Sequence, residues 1–121
     1  VVFSGARQNL AIVSAADIKN VKGIFRSIGG VTKRRKAPPS FSATEFQLAA
    51  DERLFIYTDG IVDQFDEGGK EKLGTKRLNT VLVDGHNAPL AETFQAVTKL
   101  FDRWIGNGKQ IDDISLIGFK P

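Results

Sequence analysis

Carboxylates stand at two places where the chain changes from one kind of element to another. Residues 54–66 read LFIYTDGIVDQFD. Four residues of strand type, Leu54, Phe55, Ile56 and Tyr57, run into Thr58-Asp59-Gly60, and a short amphipathic run from Ile61 to Phe65 leaves on the far side. This order puts the Asp59 carboxylate at the end of a buried strand. Gly60 follows it and, lacking a Cβ, lets backbone or a ligand come close. An oxygen donor held in this way suits a hard divalent cation. Asp-Gly is also a common turn dipeptide, so the stretch alone leaves both readings open.

The second place is KQIDDISLIGF at residues 109–119, where Asp112 and Asp113 open an apolar run that reads as the last strand. Between Asp59 and Asp112 there is room for helices that return the chain to the same edge of a sheet. The two acids could then share divalent cations, which prefer oxygen ligands. On its own the Asp112-Asp113 pair also reads as a solvated turn between a helix and a strand.

The elements that must position these acids follow from pattern. Residues 1–13 read as a hairpin, with a turn at residues 5–9 and its second strand at 10–13. Arg7 in that turn could contact a phosphate, although a solvated turn residue is the more ordinary role. Residues 14–20 form a polar connector with a turn at Ala15-Ala16-Asp17, and 21–28 a third strand closed by Gly29-Gly30. Strands are expected at 41–48 and 53–58, paired antiparallel through the turn at 49–52. Phe55 and Tyr57 fall on one face and Leu54 and Ile56 on the other, the mark of a strand covered on both sides.

Two helices follow. The first spans 75–83, with Thr75 as N-cap and Leu78, Val81 and Leu82 turned inward. The second spans 89–105, where Leu90, Phe94, Val97, Leu100, Phe101 and Trp104 recur at helical spacing, Pro89 lies near the first turn and Gly106 ends it. His86, the only histidine, lies in the turn between them, remote in sequence from both acidic stretches.

Composition narrows the function classes. A chain of 121 residues, 41% hydrophobic and 26% charged, describes one small soluble domain or part of one, long enough for a real core. No run approaches the roughly 18–20 apolar residues of a membrane span, and no signal segment opens the chain. With no cysteine there is no disulfide framework, no thiolate nucleophile and no Cys-based zinc site. A cytoplasmic location is expected, with membrane tethering left to any upstream domain. The chain lacks methionine and begins within strand-like residues, so a piece of a longer protein is expected.

Residues 31–39, VTKRRKAPP, are the one strongly biased stretch: Lys33, Arg34, Arg35 and Lys36 precede two prolines, which together demand an exposed loop. These four cations exceed the net charge of +3. A solvated loop, docking of an acidic or phosphorylated protein, and nucleic-acid binding are the candidate roles. No aromatic residue interleaves the cations, so base stacking is unsupported and no nucleic-acid partner is expected.

Taken in order, GARQNLAIV, FSATEFQL, ERLFIYTDG running on into IVDQF, and QIDDISLIGF resemble the C-terminal half of a metal-dependent serine/threonine phosphatase of the protein phosphatase 2C type, and most closely its SpoIIE-like bacterial branch. Gly5-Ala6, Tyr57-Thr58-Asp59-Gly60, Gly74 with Arg77-Leu78, and Asp112-Asp113-Ile114-Ser115-Leu116 fill that branch's places in sequence. Leu73 stands where the family more often has Phe. The likeness runs through essentially the whole chain.

The resemblance implies an α+β fold, the four-layer α/β/β/α sandwich. Residues 1–121 would be the C-terminal portion of a single phosphatase domain, with mainly antiparallel strands and two helices, and the N-terminal half absent with its own metal ligands. Asp59 and Asp112 would ligate Mn²⁺ or Mg²⁺, two ions in the complete domain. Asp113 would support a ligand or cap the strand, Asp63 would hold a metal-bound water, and Gly60 would make room. No side chain acts as nucleophile; a water activated by the ions attacks the phosphorus.

The implied activity is hydrolysis of phosphoserine or phosphothreonine on a protein partner, such as a bacterial anti-sigma-factor antagonist, with the isolated segment inactive. Lys33, Arg34, Arg35 and Lys36 would dock that partner. The alternatives are a catalytically dead pseudo-phosphatase that binds proteins as a regulatory module, and an unrelated binding domain that uses the basic loop. A half-sandwich leaves an apolar face and strand edges uncovered, which implies a homo-oligomer or a need for the other half.

Overall fold

The computed structural model describes residues 1–29 and 40–120. The basic stretch Lys33, Arg34, Arg35 and Lys36 lies outside the described residues. In chain order the elements are β1 (Val2–Phe3), β2 (Leu10–Val13), β3 (Ile18–Val21), β4 (Thr44–Glu45), β5 (Arg53–Tyr57), α1 (Gly60–Asp63), α2 (Gly74–Asp84), α3 (Leu90–Ile105) and β6 (Leu116–Phe119). A four-stranded antiparallel sheet in the order β3-β2-β5-β6 carries the core, and β1 and β4 form a separate two-stranded ribbon.

The strand β5 is central because it is apolar on both faces. Phe55 and Tyr57 join Ala11, Val13, Ile61, Leu73, Leu78, Leu82 and Val97 in the core between the sheet and the helices. Leu54 and Ile56 point the other way, with Leu10, Ile12, Val21, Phe3, Phe46 and Leu48. Period-2 alternation on a strand covered on both sides produces this division. The helical stripe on α3, from Leu90 through Phe94, Leu100 and Phe101 to Trp104, closes the first core from outside.

Several sequence expectations are corrected. Residues 1–13 are not a hairpin: β1 pairs with β4, and β2 lies between β3 and β5. All four residues of β2 are buried, so it needs a neighbour on each edge, which an end strand would lack. The third strand is Ile18–Val21, straight after the Ala15-Ala16-Asp17 turn; it shares only Val21 with the expected 21–28 and falls mostly in the expected connector. Residues 41–48 do not pair with β5; only Thr44 and Glu45 remain in a ladder, and Phe46 and Leu48 act as core plugs. The first long helix starts at Gly74 with Leu73 at its N-cap and no side-chain cap bond, so Thr75 is not the cap. A short helix, α1, is added to the expected two.

Tyr57 reports on this core. Burial pushes its phenol above the ordinary value of 10.0 because phenolate is poorly solvated there. A group whose folded pKa is raised contributes stability that is complete below its unfolded pKa and is lost as pH rises through the folded value. The chain has a single tyrosine, so absorbance at the phenolate band follows it alone. The expected titration midpoint lies above 10.0 in the folded protein, and Tyr57→Phe removes the alkaline destabilisation linked to it.

Candidate metal centre

The ladder between β5 and β6 brings the two acidic stretches together. Its last regular pair is Tyr57 with Leu116. One residue further, the Thr58 amide donates to the Ser115 carbonyl at 3.0 Å, and then a side chain takes over. Thr58 Oγ1 accepts from the Ser115 amide at 2.9 Å and donates to the Asp113 carbonyl at 2.9 Å. A hydroxyl can do both at once. It therefore holds the chain just before β6 against the chain just after β5, where Asp59 stands.

Gly60 makes that approach possible. A Cβ on Gly60 would collide with the carbonyl of Asp113, and it would lie 3.4 Å from the Cβ of Asp112. Asp112 is thus packed directly against the residue that follows Asp59. Its Oδ1 accepts from the Asp113 amide at 2.7 Å, and its carbonyl accepts from Gln110 Nε2 at 2.8 Å.

Gln64, only 1% exposed, ties the two segments from below. Its Nε2 donates to the Lys109 carbonyl at 2.9 Å and its Oε1 accepts from the Ile111 amide at 3.2 Å, so one amide grips the segment leading into Asp112. Its own carbonyl accepts from Trp104 Nε1 at 3.1 Å and from the Leu73 amide at 2.9 Å. A buried amide with both ends satisfied fixes one register and resists change, since any shift leaves polar atoms unpaired.

Asp59 opens onto a cleft of about 320 Å³ walled by Tyr57, Thr58 and Val62 on its own segment and by Arg7, Gln8 and Asn9 of the turn before β2. Gln8 Nε2 donates to the Tyr57 carbonyl at 2.7 Å and pins that turn to the end of β5. The carboxylates of Asp59 and Asp112 are exposed, and among the described residues neither is in an ion pair. Asp63 pairs with Lys72 at 2.9 Å. Asp113 engages the site through its carbonyl, as acceptor from Thr58. His86 is buried in the turn after α2 and does not line the cleft. Arg77, singled out with Gly74 and Leu78, bonds Glu71 at 2.8 Å and stacks over Trp104 at 4.3 Å, a structural clasp.

Sequence reasoning missed Thr58, Gln64 and Gln8 as positioning residues. For Gln64 a faint signal existed: it is a polar residue at the apolar end of a short amphipathic run. The residues present fit a hard divalent cation. The donors are carboxylate oxygens without cationic partners, and Gly60 leaves the space beside them open. No group of three or more acidic or histidine side chains suited to a metal occurs among the described residues.

The antiparallel sheet and its helices match part of a domain of the protein phosphatase 2C type. Among solved structures the chain is similar to the SiaA-PP2C domain of Pseudomonas aeruginosa, with a TM-score of 0.85 and 26% identity, covering 98% of this chain and 45% of that one. The chain thus spans less than half the length of that solved domain. The family described as Stage II sporulation protein E (SpoIIE) matches residues 28–121, and the chain belongs to that family. No curated protein matches it.

Two substitutions separate space from hydrogen bonding at this junction. Gly60→Ala drives a methyl group into the Asp113 carbonyl, and the expected cost is about 1–3 kcal/mol of stability with displacement of Asp112. Thr58→Val keeps the shape but leaves the Ser115 amide and the Asp113 carbonyl without their partner, at about 1–3 kcal/mol. Urea denaturation measures both; losses below about 0.5 kcal/mol in both variants contradict the pinned junction.

Proposed function

We propose that the protein is a metal-dependent phosphatase acting on phosphoserine or phosphothreonine of a protein partner, and that residues 1–121 form the C-terminal portion of its single catalytic domain. The observation that supports this reading is the meeting of Asp59 and Asp112 at one end of the sheet, across Gly60, in a chain of the SpoIIE family. Asp59 and Asp112 would hold Mn²⁺ or Mg²⁺, two ions in the complete domain, and the remaining ligands would come from the other half. When bound, such ions supply an activated water for in-line attack and neutralise charge on the phosphoryl oxygens.

The chain's own residues do the positioning. Thr58 fixes the distance between the two carboxylate-bearing segments, and Gln64 fixes the approach of Asp112. Asp113 supports this geometry through its backbone, and Asp63, paired with Lys72, would hold a metal-bound water. The cleft beside Asp59, about 320 Å³, would receive the phosphorylated side chain.

The partner in this reading is a folded phosphoprotein, such as an anti-sigma-factor antagonist in bacterial signalling, met in the cytoplasm. Lys33, Arg34, Arg35 and Lys36 would dock its acidic surface. Among the described residues no helix is long and apolar enough to cross a membrane. The exposed Ile117 and Phe119 on β6 offer an apolar face to the rest of the domain or to a second copy.

Asp59→Asn in the full-length protein is expected to lower Mn²⁺-dependent hydrolysis of a phosphoserine peptide by about 100-fold or more, while circular dichroism stays unchanged. Full activity in that variant contradicts the assignment. No turnover by the unsubstituted protein at saturating metal favours the pseudo-phosphatase instead.

Reversing the four charges at Lys33, Arg34, Arg35 and Lys36 tests docking separately. Turnover of the protein substrate is expected to fall by about tenfold or more, through loss of electrostatic steering, while p-nitrophenyl phosphate is hydrolysed at the original rate. Equal loss on both substrates rules out the docking role.

A further inference from the structure

Arg7 shares the cleft with Asp59 and is held there in an unusual way. Its backbone φ is 57°, in the left-handed region that favours glycine, and it is the one described non-glycine residue with positive φ. The turn is fixed on three sides. The Arg7 amide donates to the Ile24 carbonyl at 2.8 Å, Gln8 reaches the Tyr57 carbonyl, and Gly23 packs so closely on the Gln8 and Gly5 backbone that a Cβ would not fit. The guanidinium lies 4.7 Å from the centre of the Phe25 ring, and Phe25 is 83% exposed. Among the described residues Arg7 is in no ion pair. Backbone strain that surrounding contacts over-determine, carrying a cation without a counter-ion at the edge of a cleft, marks a residue kept for what its side chain meets.

We propose that Arg7 binds the phosphoryl group of the substrate at the mouth of the Asp59 cleft, with Phe25 as the platform that orients its guanidinium. This rests on the phosphatase reading and adds to it the residue of this chain that meets the phosphate. A guanidinium offers a planar fork of N–H donors that matches two phosphoryl oxygens, and stacking on an aromatic face leaves that fork free. The carboxylates of Asp59 and Asp112 alone would repel a phosphate. Arg7 supplies positive charge from the chain itself, on the wall formed by residues 7–9. Exposure of Phe25 is then accounted for: a ring on the surface costs little when a cation covers it and a substrate closes over both.

The test uses the full-length protein with Mg²⁺ and inorganic phosphate as the probe, read by calorimetry, alongside steady-state kinetics on p-nitrophenyl phosphate. Arg7→Gly removes the guanidinium and also suits the positive φ, so the fold is expected to survive with no loss of melting temperature. Phosphate affinity is expected to fall by about tenfold or more and KM to rise by a similar factor, with Mg²⁺ affinity unchanged. Arg7→Lys recovers part of both, and Phe25→Leu weakens both to a smaller degree. Unchanged phosphate affinity and KM in Arg7→Gly overturn the proposal. So does a loss of phosphate affinity matched by an equal loss of Mg²⁺ affinity, which marks collapse of the cleft. Arg7-dependent phosphate binding by a protein that hydrolyses nothing upholds the proposal and defeats the phosphatase reading; hydrolysis untouched by Arg7→Gly does the reverse.

Discussion

A single hydroxyl sets the geometry of this end of the molecule. Thr58 Oγ1 sits between the Ser115 amide and the Asp113 carbonyl, and so carries the β5–β6 ladder one step beyond the point where backbone pairing stops. A backbone ladder alone would let the strands splay as they twist apart at their ends. The threonine holds them, and Gly60 lets the two chains touch. What lies beyond depends on that contact: Asp59 begins α1, Asp112 ends the approach from α3, and the two acids share one edge because the strands beneath them are locked. Gln64 repeats the constraint one turn deeper, with a buried amide in place of a hydroxyl.

The second organising fact is the two-sidedness of β5. Its apolar residues feed two cores, one under the helices and one toward the β1–β4 ribbon. The helical side is finished: α2 and α3 cover it, and Arg53 and Thr93 both donate to the Gly85 carbonyl to hold the turn between those helices. The opposite side is only partly covered, and toward β6 it presents Ile117 and Phe119 to solvent. A rigid, well-packed face thus supports the acidic edge from one side, which is the arrangement a site needs if its ligands must not move relative to one another.

Local features of this fold were legible in the sequence. The strand ending at Asp59, the helical stripe ending at Trp104 and the last strand after Asp113 all followed from periodicity and punctuation, because each is decided by residues close together in the chain. Partnerships were less legible. Val2 and Phe3 pair with Thr44 and Glu45, more than forty residues away, and nothing in a two-residue strand announces its neighbour. Adjacent segments were assigned to each other instead, which is the right first guess for short turns and was wrong here twice. The positioning residues were hidden for a related reason. Thr58 and Gln64 matter through bonds to residues some fifty positions away, and their own neighbourhoods look like an ordinary turn and an ordinary helix end. Arg7 was legible as a turn cation, but its place on the Asp59 wall depends on Gln8 reaching Tyr57.

We propose that one ion site is shared by the segments around Asp59 and Asp112. Paramagnetic broadening by Mn²⁺ tests it without reference to turnover. In the full-length protein, at substoichiometric Mn²⁺, the amide signals of Thr58, Asp59, Gly60, Asp112 and Asp113 are expected to broaden together and at the same metal concentration. Broadening of one segment without the other, or confined to acids elsewhere such as Asp66 and Glu67, contradicts a shared site.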